Sequence, residues 1–263
     1  MSLSLAHIND ISKGIRGLCQ GRVYLKEDCE AGDTTIPVGY DDGLSLGLDI
    51  PGSELFRNNT LSAVIVEPSA TAAPGAAGID HSESVTLSEP TFNGMDVTAT
   101  TGLQEDYTVA AGAYIRMATL PTVCTGLKII QKDFLEDMVG PEDKYLPGVF
   151  VTWNGSKYDP QSIAAYNEHM TFLVRYVILE EPEVDNREVL ISGLEQLINL
   201  LGEDNYLGGT AHESNITGAS PCWDSRGARR GQVLNSIGRS VLWGDIYLDV
   251  KRTAPWDKVS SFS

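Results

Sequence analysis

The sequence predicts an α+β fold: an antiparallel sheet flanked by helices, plus a small all-β barrel or sandwich domain. Three observations predict it. Residues 22–116 read as short β-branched runs, broken roughly every ten residues by turn pairs such as Asp42-Gly43, Pro51-Gly52 and Asn93-Gly94. Residues 117–253 instead alternate helical and strand periods. Charge changes at the same place: residues 1–114 carry 5 basic and 16 acidic side chains, and residues 115–263 carry 14 and 20. No Lys or Arg occurs from Asn58 to Ile115. The chain is therefore divided into an N-terminal helix (1–21), a small β-domain (22–116), an α+β domain (117–253) and a C-terminal tail (254–263).

Taken in order, Leu5, Ile8, Ile11, Ile15 and Leu18 recur at spacings of three and four and predict a helix over residues 2–20. Val23 to Leu25, Thr34 to Val38, Leu61 to Val66, Ser84 to Leu87, Asp96 to Thr101 and Tyr107 to Val109 are short strand candidates. The Ala/Gly/Pro segment 68–78 reads as a flexible loop. Leu127, Ile130, Phe134, Leu135 and Met138 predict a helix over Thr125 to Val139, ended by Gly140-Pro141. Val149 to Trp153 is a strand that should stop at Asn154-Gly155. Met170 to Leu179 is a longer one. Asn186 to Leu201 has the strongest helical stripe, with Asp185 as its cap and Gly202 closing it. Residues 202–232 are polar and Gly-rich, too poor in apolar residues for a core of their own, and predict a mobile arm. Val241 to Val250 alternates as a final strand.

Composition excludes several classes. The 263 residues are 42% hydrophobic and carry net charge −17, so unaided binding to DNA phosphates is not expected. No stretch approaches the roughly 18 apolar residues of a membrane span. Met1 to Gln20 lacks a basic start followed by an apolar run, so no secretory signal is expected. Cys19, Cys29, Cys124 and Cys222 form no C-x-x-C pair and read as free thiols.

The chemical motifs read weakly. Gly43-Leu44-Ser45-Leu46-Gly47 matches the serine-hydrolase elbow, but Pro51-Gly52 leaves no room for the helix that chemistry needs. His7, His81, His169 and His212 have no metal-ligand spacing and read as surface residues. Glu180, Glu181 and Glu183, like Asp133, Glu136 and Asp137, lack a calcium-loop pattern and read as solvated. Gly208-Gly209 has no nucleotide-loop context. No catalytic, metal or cofactor site is expected. Arg226, Arg229 and Arg230 read as the only basic cluster in an acidic protein, on the 202–232 arm, where they suit bidentate pairing with carboxylates of a neighbouring protein.

One resemblance emerges. Leu146-Pro147-Gly148-Val149-Phe150-Val151-Thr152-Trp153, after an amphipathic helix, resembles the first strand of the tail terminator proteins of long-tailed phages. Thr171 to Leu179, Asp185-Asn186-Arg187 opening a helix, Tyr206-Leu207-Gly208-Gly209-Thr210, and Ile246-Tyr247-Leu248-Asp249-Val250 follow in the same order, covering about residues 117–253. Ala31 to Val38 and Asp106 to Ala113 are similar to small β-modules of virion neck and tail proteins. Terminators in general lack such a module, so residues 20–116 look like an insertion. The resemblance implies a non-enzymatic virion protein of the neck, assembled in the host cytoplasm. It would form a homo-oligomeric ring, usually a hexamer, that caps the tail tube protein and meets the head–tail connector protein. DNA would pass through an acidic lumen without specific binding. A connector, stopper or baseplate protein, and more remotely a carbohydrate-binding or hydrolytic β-module, remain open on the same residues.

Overall fold

A computed structural model describes residues 3–39, 54–56, 62–68, 81–88, 96–131, 146–160, 165–181, 183–221 and 241–255. Helix α1 (Leu3–Cys19) buries Ile8, Ile11, Ile15 and Leu18, the stripe its sequence advertises. It ends in a turn in which Gly21, at φ 63°, donates its N–H to the Leu18 carbonyl. The positive φ is why glycine stands there.

Strands β1 (Arg22–Tyr24), β2 (Thr35–Pro37), β3 (Ser62–Glu67), β4 (His81–Thr86), β5 (Asp96–Thr98) and β6 (Tyr114–Met117) follow. They form an antiparallel sheet in the order β1-β6-β3-β4 and a two-stranded ribbon, β2-β5. Single bridges, Leu25 to Val38 and Leu87 to Ala99, tie the ribbon to both edge strands of the sheet. Among the described residues no continuous ladder closes into a barrel. Tyr107 to Val109 is not a strand: Tyr107 makes one bridge with Cys29 and the chain then turns. An interior strand is Tyr114–Met117 instead, with Ile115 paired to Val23 on one side and Ile65 on the other. Its outward residues, Tyr114 and Arg116, hide the alternation because both are long and partly covered.

The second half builds a five-stranded sheet, order β10-β11-β9-β8-β7. Its strands are β7 (Ile129–Gln131), β8 (Gly148–Pro160), β9 (Ala165–Leu179), β10 (Glu213–Pro221) and β11 (Val241–Pro255). Helix α2 is short (Thr122–Gly126), and α3 runs from Asn186 to Glu203. The helix expected from Thr125 is replaced at its start: Leu127 is extended, and β7 pairs parallel to β8. The Lys128 N–H donates to the Pro147 carbonyl at 2.8 Å. Ladder bonds to a neighbouring strand override a local period that suited either state. The rest of that expected helix lies outside the described residues.

Three further expectations change. Strand β8 does not stop at Asn154-Gly155 but passes through a bulge there, with Gly155 at φ 131°. Helix α3 passes Gly202 by one residue and ends at Asp204, whose carboxylate accepts N–H bonds from Tyr206 and Gly208. The first part of the 202–232 segment is ordered. Residues 204–210 make a tight turn, and β10 pairs with β11 along its length. Residues 222–232 lie outside the described ones. Edge pairing supplies the ordering that composition could not.

Helices α1 and α3 cover one face of this sheet. Val149, Val151, Phe172, Val174, Ile246 and Leu248 meet Ile11, Ile15, Leu194 and Leu197 there, and the same core continues into the β-module through Val23, Ile36, Ile65 and Ile115. On the other face Leu146, Phe150, Val177 and Val241 form a separate apolar cluster. The observed class is a mixed fold with mostly antiparallel sheets, as expected of α+β.

Candidate functional site

Arg226, Arg229 and Arg230 lie outside the described residues, as do the 43–47 motif, Asp133, Glu136, Asp137 and Cys222. Glu180, Glu181 and Glu183 are exposed, in the turn before α3. Asn186 ties that turn down, accepting from the Glu181 N–H at 2.9 Å and donating to the Glu181 and Val184 carbonyls. Among the described residues no group of three His, Cys, Asp or Glu side chains is placed to hold a metal ion. Cys19, Cys29 and Cys124 are buried free thiols. Burial pushes Cys29 and Cys124 each up to about 12 and Cys19 higher still, which favours the protonated thiol.

A polar seam pins α1 to the five-stranded sheet. His7, expected on the surface, is fully buried, and its Nδ1 lies 2.9 Å from Glu168 Oε2. Tyr158 donates its hydroxyl to Glu168 Oε1 at 3.1 Å. Burial raises the Glu168 pKa, but bonds from His7, Tyr158 and Ser156 outweigh it and hold the carboxyl below its ordinary value. Nearby, the buried Arg252 guanidinium lies 3.6 Å from Asp10. Thr253 donates its hydroxyl to Asn167 and its N–H to His212 Nδ1. Only folding joins His7 to Glu168, since they lie 161 residues apart. The one sequence signal is a polar residue bordering an apolar stripe. Such buried pairs fix register more than they add stability. His169, by contrast, is half exposed, 3.4 Å from Asp159.

Three surfaces are open to partners. On the sheet face away from α1 and α3, Arg175 makes a two-point ion pair with Asp245 at 2.6 and 2.7 Å and packs over Trp243, with Tyr247 exposed alongside. At the start of α3, Val184, Val189 and Ile191 are exposed aliphatics at 44%, 42% and 37%. The first two line a groove of about 290 Å³ that also contains Leu146, Pro147 and Ile178.

The third surface is a basic and aromatic cluster where α1 meets the β-module. Register sets Arg22 opposite Arg116 and Tyr24 opposite Tyr114 on the outward face of β1 and β6. Arg22 lies over both rings, 5.3 Å from the Tyr24 centroid and 4.5 Å from that of Tyr114, and donates to the Tyr24 hydroxyl. Lys13 stands 4.2 Å above the Tyr24 ring. Burial lowers the Lys13 pKa, with Asp10 opposing and Arg16 and Arg22 adding to the shift. The residues are spread from 13 to 116, which is why the linear sequence does not display the cluster. No family model matches this chain, and no curated protein matches it either.

Proposed function

We propose that the protein is a structural virion component of the phage neck, a tail terminator that works by forming a ring on the tail tube and joining tail to head. The observation that carries the reading is the exposed aliphatic pair Val184 and Val189, which lines a groove with Leu146, Pro147 and Ile178 at the start of α3. Large aliphatics at the first turns of a well-formed helix are a surface that assembly would cover. A copy docking its own surface against this one makes a heterologous contact, the kind that closes into rings. The helix-covered antiparallel sheet supports a terminator-like domain over 117–253, and the sheet with its bridged ribbon supports a barrel- or sandwich-like insertion over 22–116. Arg226, Arg229 and Arg230 are proposed to pair with carboxylates of the next subunit or of the tube. The net charge of −17 suits a lumen that DNA crosses without sticking. Among the described residues no helix is long and apolar enough to cross a membrane.

The test is direct. Purified protein is mixed with tail tubes and viewed by electron microscopy. The reading expects a ring at one end of each tube and arrest of tube growth. Tubes that keep growing with bare ends would overturn it.

A further inference from the structure

The basic and aromatic cluster at the foot of the β-module is built but unfilled. Arg22 Nε is buried without a hydrogen-bond partner. The Arg22 and Arg116 guanidinium groups find a tyrosine hydroxyl and a backbone carbonyl, with no carboxylate within ion-pair distance among the described residues. A small pocket of about 10 Å³ opens between Lys13, Arg22, Tyr24, Gly208 and Thr210. That is room for about one water-sized group, so the occupant enters by the tip of a side chain. A guanidinium fork laid on aromatic faces, as Arg22 is on Tyr24 and Tyr114, suits a planar anion, and a carboxylate is one.

The same module carries that anion at its other end. Beyond β1 the chain reaches a clasp in which Cys29 bridges Tyr107. Asp28, Asp33, Glu67, Glu83 and Asp106 are occupied there, each accepting a backbone N–H from the clasp loops. Glu27, Glu30 and Glu105 are different: they are exposed, and no described side-chain bond engages their carboxylates. The module is therefore basic where it leaves α1 and acidic at the clasp.

We infer that the β-modules of successive copies dock head to tail, with Glu27, Glu30 and Glu105 of one copy entering the Lys13, Arg22, Arg116, Tyr24 and Tyr114 cluster of the next. This rests on the ring reading and names a contact within it. A polar contact of this kind sets orientation and association rate, while the aliphatic surface on α3 supplies buried area. A head-to-tail arrangement also keeps every copy equivalent, as a ring requires.

The experiment uses two full-length variants, Arg22→Glu/Arg116→Glu and Glu27→Lys/Glu30→Lys/Glu105→Lys. Self-association is read by sedimentation velocity over a range of salt, and folding by circular dichroism. Wild type should associate at low salt and dissociate as salt rises. Each variant alone should stay folded and lose affinity by about tenfold or more. Mixing the two should restore association, because every contact in an alternating assembly is then complementary again. A second pair, Arg22→Gln/Arg116→Gln and Glu27→Gln/Glu30→Gln/Glu105→Gln, keeps the reading testable if a reversal fails to fold. Each should weaken association alone, and their mixture should recover only pairing of two copies, because every second contact is then the wild-type one.

Wild type that remains monomeric at low salt, or a mixture that does no better than its parts, would overturn the inference. So would loss of binding to a short DNA duplex in the arginine variant with self-association unchanged, which would make the cluster a phosphate site. Variants that still cap tube ends with normal affinity would defeat this contact and leave the terminator reading standing. Wild type that docks head to tail but never binds a tube end would do the reverse.

Discussion

The two sheets of this protein are held together by different means. In the five-stranded sheet, β9 and β11 pair without interruption from Leu179–Val241 to Ala165–Pro255, and apolar residues on every second position face α1 and α3. Its order comes from length and alternation. In the β-module β1, β2 and β5 have three residues each, too few to define a ladder alone. There, carboxylates do the work of missing strand length. Glu67 accepts from the Thr108 N–H at 2.6 Å and also from the Thr108 hydroxyl, and Asp106 accepts from the Ala31 N–H at 2.8 Å. The comparison teaches that the acidity of the first half has two components. Some carboxylates are structural acceptors inside loops, and others, such as Glu27, Glu30 and Glu105, are exposed.

The sharpest way to break this comparison is to remove apolar volume from each sheet. Phe172→Ala, in the middle of β9, should cost about 3–5 kcal/mol in denaturant unfolding. Ile36→Ala, in the three-residue ribbon, should cost nearer about 2 kcal/mol, because less packing depends on it. Equal costs would mean the ribbon is as central as the long ladder.

Where the two halves meet, a Cβ on Gly14 would strike the backbone carbonyl of Leu207 and the Thr210 hydroxyl. Gly14→Ala should therefore destabilise by about 1–3 kcal/mol, although alanine favours a helix by about 1 kcal/mol. Thermal melting decides the sign, and a gain in stability would show that the 204–210 turn can move away from α1.

Next in size is the clasp. Glu67→Ala removes a charge-assisted acceptor and should cost about 1.5–3 kcal/mol. Hydrogen exchange should speed up at the Thr108 amide and its neighbours while β9 and β11 keep their protection. Exchange that rises equally in both sheets would erase the distinction between them. Asp185→Ala, which removes the carboxylate that accepts from the Arg187 and Glu188 N–H groups, should cost about 1 kcal/mol and loosen only the first turn of α3.

The last effect is specific to acid. The folded pKa of Glu168 is lowered, so its contribution is fully present above the ordinary value of 4.5 and is lost as pH falls through the lowered value. Melting temperature followed downward from neutral pH should fall more steeply in wild type than in Glu168→Gln. Parallel curves would show that the seam to His7 does not couple protonation to folding.

Several features were determined by sequence alone. The stripe on α1, the Asp185 cap and the alternation of β9 and β11 are properties of consecutive residues. A period of 3.6 or 2 repeated over many positions needs no distant partner to be read. The tertiary structure decided the rest. It turned Ile129 to Gln131 from helix into a strand beside β8, because ladder bonds outweighed an ambiguous short period. It placed one of the two interior strands of the first sheet at Tyr114–Met117, whose outward side chains mask the alternation. It carried β8 through Gly155 by a bulge, and it ordered Glu213–Pro221 by edge pairing, where composition alone gave a mobile arm. It also buried His7 against Glu168 and gathered Lys13, Arg22, Tyr24, Tyr114 and Arg116 into one cluster. In each case the deciding partner is remote along the chain, and such a partner leaves no periodic mark on the local sequence.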